Sequence, residues 1–345
     1  MTETVGSIRE TLRRMTNRQI TLAARPVGFP QESDFALVEA PVPEPGPGEV
    51  LVRARWLSLD PYMRGRMSEV RSYAKPTELG EVMTGQVVGE VVASEDSSLV
   101  SGDDVVGQLG WQEYAVARAG NLRKVDTALA EPQAYLHVLG TTGLTAYFGF
   151  FDVARPKPGD TVVVSGAAGA VGQVVGQLAK IAGCRVVGIA GGPEKVAELT
   201  ELYGYDAAID YKADDVNVAL KEACPRGVDV YFDNVGGAIS ETVFRCLAVG
   251  ARVAVCGQIS QYNLPEPELA PRGLGFLIVF RARLEGFLIF DYVHRFGEGL
   301  ERLGHWLAEG RLVYREDVTE GLENAPRAFI GMLRGANRGK TLVRL

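Results

Sequence analysis

Two hydrophobic patterns divide the chain near residue 140. Before that point, short runs of alternating apolar and polar residues, such as VLVRARW at 50–56, are separated by Pro- and Gly-rich stretches. Alternation with a period of two is typical of half-buried strands, and the PVPEPGPGEV stretch before this run cannot be regular. The first third of the chain is therefore predicted to be a β-rich unit. Residues 1–16 are set aside as a short charged extension.

After residue 140, continuous β-branched runs alternate with segments of helical spacing. The runs are TVVVSG, RVVGIA, AAIDY, VDVYFDN and ARVAVCG, and helices are predicted near 193–203 and 296–309. This order predicts βαβ units, and so an α/β fold with a doubly wound parallel sheet of the Rossmann type. The tail from residue 312 returns to strand spacing and is predicted to rejoin the β-rich unit.

Length and composition restrict the class of protein. A chain of 345 residues is expected to form about two domains, and 46% hydrophobic with 23% charged residues is typical of globular proteins. The net charge of -7 argues against a nucleic-acid partner. No stretch has the features of a membrane span or a signal peptide, and the four scattered cysteines are interpreted as reduced thiols. These features favour a cytoplasmic location.

The stretch VVVSGAAGAVGQVVGQLAK at 162–180 reads as a strand, a glycine turn and a helix. Such a turn lets the backbone approach a pyrophosphate, and the helix N-terminus supplies N–H donors. In Ala167-x-Gly169-x-x-Gly172, alanine stands where the usual fingerprint has its first glycine. A turn without a ligand and a methyltransferase turn are the alternatives. The predicted dinucleotide contacts are Ala167, Ala168, Gly169, Ala170, Val171 and Gly172.

The end of the second Rossmann strand indicates which dinucleotide binds. NAD enzymes usually carry Asp or Glu there, to bond the ribose 2′-hydroxyl. Here the strand ends in 188–192, GIAGG, without an acid, and Lys195 follows. A missing carboxylate and a nearby cation favour a 2′-phosphate, so the predicted cofactor is NADP(H). The alternative is that Lys195 is a solvated helix residue.

Several motifs together resemble a known family. They are LDPYMRGRM at 59–67, MTGQVVGEV at 83–91, GTTGLTAYFGF at 140–150, YFDNVGG at 231–237, CGQISQYN at 256–263 and the tail 320–345. The chain resembles the zinc-independent medium-chain dehydrogenase/reductases, in the branch of prostaglandin reductase, plant alkenal double-bond reductases and bacterial curcumin reductase. The resemblance implies a GroES-like catalytic domain (17–138 and 312–345), interrupted by a Rossmann domain (139–311), with the active site in the cleft between them.

The same resemblance implies further cofactor contacts and a homodimer. The implied positions are Gly191, Tyr211, Asn234, Cys256, Gly257, Ile259, Ser260, Tyr262, Phe287, Leu288, Ile289 and Asn337. Lys195 and Tyr211 are expected at the 2′-phosphate, although their spacing is one residue longer than the family pattern. The apolar segment 275–290 is interpreted mainly as helix and strand core with a dimer seam, and part of it as the wall of an apolar substrate pocket.

Zinc ligands are missing from the part of the sequence that should hold them. No His or Cys precedes His137, and His137, His294 and His305 lack metal-ligand spacing, so all three are interpreted as packing or surface residues. Without a Lewis acid, a conjugated C=C bond is an easier target than an alcohol. Hydride addition to its β-carbon gives an enolate, which requires a hydrogen-bond donor and a proton source for the α-carbon.

Two tyrosines are candidates for this donor. Tyr262 follows a predicted strand end, where ligands of open α/β sheets bind, and is the first choice. Tyr62 lies in the loop where zinc-dependent relatives place metal ligands, and Arg64 is a weaker candidate for orienting the substrate carbonyl. The favoured function is NADPH-dependent reduction of the C=C bond of apolar α,β-unsaturated aldehydes or ketones. The alternatives are an NADPH:quinone oxidoreductase and an NADPH-binding protein with little turnover.

Overall fold

The structure is a computed structural model that describes residues 15–70, 72–270 and 273–345. Its contacts divide the chain into two compact units. One ends at Leu136 and resumes as Asp317–Asn337 and Thr341–Leu345, and the other comprises His137–Glu316 and Arg338–Lys340. Most of the predicted extension, residues 1–14, lies outside the described residues, and Thr16 already begins the first strand.

The first unit is rich in antiparallel strands. They are β1 (Thr16–Leu22), β2 (Phe35–Pro41), β3 (Glu49–Ser58), β4 (Gln86–Ser94), β5 (Asp104–Gln108), β6 (Tyr114–Arg118) and β7 (Arg123–Lys124), with a short helix α1 (Tyr62–Arg66). β1 pairs with β2, β3 pairs with β4 and β6, and β5 pairs with β4 and β7. Single turns of 3₁₀ helix occupy Glu32–Asp34, Ala119–Asn121 and Pro132–Leu136.

The second unit contains a six-stranded parallel sheet. Its strands are β8 (Thr161–Ser165), β9 (Arg185–Ala190), β10 (Ala207–Asp210), β11 (Val228–Asp233), β12 (Leu247–Val255) and β13 (Arg283–Gly286). The strand order is β10-β9-β8-β11-β12-β13, and every neighbouring pair is parallel. This is the order of a dinucleotide-binding doubly wound sheet. The predicted α/β class with a second, β-rich unit is confirmed.

Helices cover the faces of this sheet. They are α2 (Thr141–Phe148), α3 (Gly172–Ile181), α4 (Pro193–Glu201), α5 (Val216–Ala223), α6 (Gly237–Phe244), α7 (Gly275–Phe280) and α8 (Phe296–Ala308), with a π-helical turn at Gly149–Ala154 and a 3₁₀ segment at Ile289–Arg295. The central strands are therefore buried on both faces, which explains their continuous β-branched sequences. Within the described residues, no helix is long and apolar enough to cross a bilayer.

The end of the chain returns to the first unit. It forms β14 (Glu316–Glu320), a 3₁₀ turn (Leu322–Asn324), α9 (Ala325–Leu333) and β15 (Lys340–Arg344). β15 pairs antiparallel with β3, where Leu342 lies opposite Ser58. Phe329 of α9 packs at 5.6 Å, edge to face, on Trp111, which itself stacks on Phe35. The tail thus completes the core of the β-rich unit.

Two sequence interpretations need correction. Residues 137–138, 312–316 and 338–340, predicted to be in the β-rich domain, belong to the second unit. Buried Gln177 and Gln173 of α3 bond to the backbone of 312–316, accepting from the N–H groups of Val313 and Arg315 at 2.8 Å each. For residues 312–316, the side-chain amides of Gln173 and Gln177 take the place of a neighbouring strand, and a hydrophobic pattern does not reveal such bonds. The segment 275–290, interpreted mainly as core with a dimer seam, is less buried than the core interpretation implies, since Ile278 of α7 is 81% exposed, although Phe276 and Phe280 pack against the core.

Candidate dinucleotide site

Six predicted cofactor segments follow the carboxyl ends of the six parallel strands. They are 167–172 after β8, Gly191 after β9, Tyr211 after β10, Asn234 after β11, 256–263 after β12 and 287–289 after β13. In a parallel sheet these ends lie along one edge, where open α/β folds bind their ligands. The topology therefore brings the segments to the same edge of the second unit. Two predicted contacts lie outside these segments: Lys195 is in α4 of the second unit, and Asn337 belongs to the first unit.

The turn after β8 begins at Gly166, one residue before the Ala167 that was predicted from the sequence. Gly166 has φ 58, in the left-handed region that favours glycine. The N–H of Gly169 then donates to the Gly166 carbonyl at 3.0 Å. The working pattern is thus Gly166-x-x-Gly169-x-x-Gly172, and Ala167 does not replace the first glycine. The sequence reading missed Gly166, although the spacing of three residues between the glycines was visible.

The glycines of this turn form a cradle that fits a dinucleotide. A Cβ atom at Gly172 would lie 2.3 Å from the Gly166 carbonyl oxygen and 2.7 Å from the Cα of Ala167. Helix α3 can therefore start close against the strand end only because residue 172 has no side chain. Its first N–H groups and its dipole face the same edge of the sheet, as a pyrophosphate requires. The residues present fit a dinucleotide.

His137 supports this turn from behind. Its Nε2 donates to the carbonyl oxygen of Ala170 at 3.1 Å, and its ring packs edge to face on Tyr314. Burial, together with the charge of Lys340, lowers the pKa of His137 to about 3. The imidazole is therefore a neutral donor that fixes the turn. The sequence interpretation as a packing residue missed this bond, which spans 33 positions.

A second buried group, the Asp233 carboxylate, fixes the ends of the neighbouring strands β8 and β11. The carboxylate of Asp233 accepts hydrogen bonds from Ser165 at 3.0 Å, Tyr231 at 2.9 Å and Ser240 at 2.6 Å, and from the backbone N–H groups of residues 235 and 236 at 3.0 Å each. Asn234 is held beside it, since its Nδ2 donates to the Ser165 carbonyl at 2.8 Å. A buried carboxylate is stable when donors surround it in this way. Asp233 was not predicted.

The segments that follow β9 and β10 lie against each other. The Tyr211 ring lies against Gly191, where a Cβ atom would be 2.6 Å from the ring. The carboxylate of Asp210 is bonded to the neighbouring backbone, because it accepts hydrogen bonds from the N–H groups of Gly192 at 2.9 Å and Lys212 at 3.0 Å. Helix α4 then starts at Pro193, which places Lys195 in its first turn. Lys195 and Tyr211 follow neighbouring strands of the sheet, and their pairing at a 2′-phosphate stays a prediction.

The loop after β12 is tied to the turn after β11. The N–H groups of Cys256 and Gly257 donate to the Asp233 carbonyl at 2.8 and 3.1 Å, and the N–H of Ser260 donates to the Val235 carbonyl at 3.1 Å. The half-buried Tyr262 folds back, so that its hydroxyl accepts the Gln258 N–H at 3.1 Å. The loop therefore holds the Tyr262 hydroxyl at the edge where the cofactor segments meet.

Some predicted contacts have other roles in the structure. Phe287 packs its ring against Phe232, and its Cζ would lie 2.3 Å from a Cβ atom at Gly149, so this side chain belongs to the packing behind the sheet. Ile289 is buried and Leu288 is 37% exposed. Burial raises the pKa of the Cys256 thiol to about 12. A thiol with that pKa stays protonated and unreactive near neutral pH.

In the first unit, Tyr62 and Arg64 occupy helix α1. The Tyr62 hydroxyl is buried, and this burial, followed by the charge of Asp60, raises its pKa. The phenol therefore stays protonated near neutral pH. The buried Arg64 donates from Nη2 to the carbonyl oxygens of Gly28 at 2.9 Å and Pro26 at 3.3 Å. These bonds give Arg64 a role in holding the 26–28 loop, and its predicted contact with the substrate carbonyl stays a prediction.

No group of three or more His, Cys, Asp or Glu side chains placed to hold a metal ion is found in residues 15–70, 72–270 and 273–345. The four cysteines are free thiols. His137 is buried on the glycine turn, whereas His305 pairs with Glu309 on the surface of α8.

Comparisons with known proteins agree with this architecture. Family models match residues 18–125 (N-terminal domain of oxidoreductase) and 170–304 (zinc-binding dehydrogenase). The chain is 46% identical to an NADPH-dependent curcumin reductase of Escherichia coli, over 95% of this chain and 97% of that protein. It is 43% identical to an NADP⁺-dependent 2-alkenal reductase of Nicotiana tabacum, over 95% and 97%.

A solved structure gives the same result. The crystal structure of CurA from Vibrio vulnificus in complex with NADPH shares 46% of its sequence and superposes with a TM-score of 0.91, covering 95% of this chain and 98% of that one. The chain belongs to the zinc-independent branch of the medium-chain dehydrogenase/reductase family. The predictions of an oxidoreductase and of NADP(H) as its cofactor are confirmed.

Proposed function

We propose that the protein reduces the C=C bond of apolar α,β-unsaturated aldehydes and ketones with NADPH. The observation that carries the proposal is the convergence of six cofactor segments on one edge of the parallel sheet, with a tyrosine hydroxyl held in one of them. Relatives named as curcumin reductase, 2-alkenal reductase and (+)-pulegone reductase support this substrate class.

The residues of the second unit divide the binding of the cofactor among them. The turn at 166–172 and the start of α3 hold the pyrophosphate, Lys195 and Tyr211 hold the 2′-phosphate, and Asn234 with loop 256–263 holds the nicotinamide half. Bound NADPH supplies a hydride to the β-carbon of the substrate. Asp233 and His137 act indirectly, because they fix the backbone of the two turns on which these contacts depend.

Tyr262 stabilises the charge that develops on the substrate oxygen. Its oxygen accepts the Gln258 N–H, and its O–H is the group that donates to the enolate oxygen or to the α-carbon in this proposal. The accepted bond also makes the phenol a better donor, since an N–H directed at the oxygen stabilises negative charge there. Tyr62 is the second candidate donor, and its raised pKa keeps the phenol protonated near neutral pH.

The assembly we propose is a homodimer. β13 is the last strand at one side of the described sheet and carries the exposed Leu284, and exposed apolar residues precede and follow it in the chain, among them Ile278 and Phe290. An edge strand with apolar neighbours is a surface that another chain can cover. The cytoplasmic location stays a prediction.

A substrate panel tests the proposal. The purified protein is mixed with NADPH and with matched enals, enones and quinones, and cofactor oxidation is followed by absorbance. We expect turnover of enones and enals, and mass spectrometry should identify a product in which the C=C bond has become a single bond and the carbonyl group is kept. Faster turnover of quinones would support the quinone oxidoreductase alternative. NADPH binding without turnover of any member would support the cofactor-binding alternative.

A further inference from the structure

The segment 338–340 is fixed against the glycine turn by backbone contacts. Gly339 forms a parallel bridge with Gly169, and the N–H of Lys340 donates to the Arg315 carbonyl at 3.0 Å. Gly339 has φ 83, and a Cβ atom on it would lie 2.1 Å from that carbonyl oxygen. Only glycine permits this approach, so the backbone of Arg338 has a defined position beside the dinucleotide cradle.

From this position the Arg338 side chain reaches helix α4. Its Nη1 donates to Glu194 at 2.6 Å, and its Nε donates to Glu198 at 2.9 Å. Glu198 is buried, and it also receives Arg315 at 2.7 Å. Two arginines, Arg315 and Arg338, therefore share the buried Glu198 carboxylate. Arg338 also contacts the exposed carboxylate of Glu194.

Glu194 directly precedes Lys195 in the first turn of α4. An acid at the adenosine end of a Rossmann site favours NAD(H), because it accepts from the ribose 2′-hydroxyl and repels a 2′-phosphate. The strand end itself carries no acid, but Glu194 brings a carboxylate to the next turn of the chain. Glu194 pairs with Arg338, and this pairing neutralises the negative charge of the Glu194 carboxylate next to Lys195, the residue proposed to bind the phosphate.

We propose that Arg338 determines cofactor specificity by acting through Glu194. Pairing with Arg338 turns the Glu194 carboxylate away from use by a ribose hydroxyl and removes its repulsion of the 2′-phosphate. The inference rests on the proposed role of Lys195 at that phosphate. Arg338 contributes to the preference for NADPH without contacting the cofactor.

The test measures dissociation constants of NADPH and NADH for the chain without substrate, by fluorescence titration. We expect Arg338→Gln to raise the NADPH Kd roughly three- to tenfold and to leave the NADH Kd unchanged or lower. Adding Glu194→Gln should restore most of the NADPH affinity. The effect of Arg338→Gln should shrink at high ionic strength, since Glu194 is 72% exposed and Arg338 is partly exposed.

Arg315→Gln is the matched control. It removes the other arginine from Glu198, so it should change the melting temperature while the ratio of the NADPH and NADH constants stays that of the parent. Three results would overturn the proposal. The first is that Arg338→Gln lowers the affinity for NADPH and NADH equally. The second is that adding Glu194→Gln to Arg338→Gln does not restore NADPH affinity. The third is that Arg315→Gln changes the ratio of the NADPH and NADH constants as much as Arg338→Gln does.

Failure of the underlying function is distinguishable. If Lys195→Ala leaves the parent's ratio of the two constants unchanged, the proposed phosphate contact is wrong. If Lys195→Ala abolishes the preference while Arg338→Gln keeps it, only the role of Arg338 is wrong.

Discussion

The hydroxyl oxygen of Tyr262 accepts a hydrogen bond from the backbone N–H of Gln258, at 3.1 Å. This contact holds the phenol in a defined direction within the loop after β12. Pre-positioned donors are effective in catalysis because they require little reorganisation when charge develops on the substrate. This fixed direction is the reason for proposing Tyr262 as the enolate donor.

Tyr262→Phe removes the hydroxyl and keeps the ring. If the hydroxyl donates mainly in the transition state, kcat should fall roughly 10- to 10³-fold while the NADPH KM changes much less. Steady-state kinetics with a saturating enone measure both constants. A rise chiefly in the NADPH KM would mean that Tyr262 contacts only the cofactor. Constants within about twofold of the parent would move the role to Tyr62 or to a water molecule.

Lys195→Ala should raise the NADPH KM about tenfold or more and leave NADH use nearly unchanged, because a charge-assisted bond to the 2′-phosphate is lost. Lys180→Ala is the control of equal charge, since Lys180 pairs with Asp206 at 2.7 Å instead. The two variants are compared in kinetics with both cofactors. Equal effects of Lys195→Ala on NADPH and NADH would show that Lys195 does not contact the phosphate.

The sequence predicts the order of the second unit well because its signals are local. Each β-branched run such as TVVVSG forms a buried strand, and the helices predicted near 193–203 and 296–309 are found at Pro193–Glu201 and Phe296–Ala308. Parallel topology then determines which ends of the strands share an edge. The six cofactor segments follow from that rule together with the family resemblance.

The groups that the sequence does not reveal act over long separations. Ser165 and Asp233 are 68 positions apart, and His137 and Ala170 are 33 apart. A buried polar residue has no periodic pattern, so its partners appear only when the chain is folded. The segment 275–290 shows the opposite case, because apolar residues there lie on the surface. Hydrophobicity indicates that a residue can be covered, but it does not say by which chain.

Activity should be independent of metal ions. The sequence before His137 holds no His or Cys, so the ligands of a catalytic zinc are missing from the domain that supplies them in zinc-dependent relatives. We expect enone reduction to survive prolonged incubation with a strong chelator, and elemental analysis to find well under one zinc per chain. Stoichiometric zinc, with activity lost on its removal and regained on its return, would contradict the proposed mechanism.

His137 should make the fold sensitive to mild acid. Burial lowers its pKa to about 3, while in the unfolded chain it is about 6.5. Between these values the unfolded chain binds one more proton, so the free energy of unfolding falls as the pH decreases. The contribution of this residue is roughly 2 kcal/mol between pH 7 and pH 5.

His137→Gln keeps an N–H donor for Ala170 and cannot titrate. The variant should therefore lose less stability than the parent between pH 7 and pH 5, which melting curves at the two pH values measure. Because the carboxylates titrate equally in both proteins, the difference between them reports on His137. An identical loss of stability in the parent and the variant would show that residue 137 is solvated or charged in the folded state.

Helix α3 can lie close to the Tyr205 ring because residue 176 has no side chain. A Cβ atom at Gly176 would be 2.0 Å from the Cζ of Tyr205, a buried ring whose hydroxyl donates to the Gly172 carbonyl at 2.8 Å. Gly176→Ala should destabilise the second unit by about 1–3 kcal/mol, because neither the ring nor the helix has room to move. The same overlap should weaken NADPH binding, since Tyr205 holds the start of α3.

Gly297→Ala in α8 is the matched control, because nothing lies within 4 Å of its Cβ position. This change should be neutral or stabilise by up to about 1 kcal/mol, as expected for alanine in an open helical position. Tyr205→Leu opens space for the added methyl group, so Gly176→Ala should cost less in the Tyr205→Leu background than in the parent. Melting temperatures of the four variants and the parent measure these differences. Additive losses in the double variant would mean that Gly176 is required for a reason other than its contact with Tyr205.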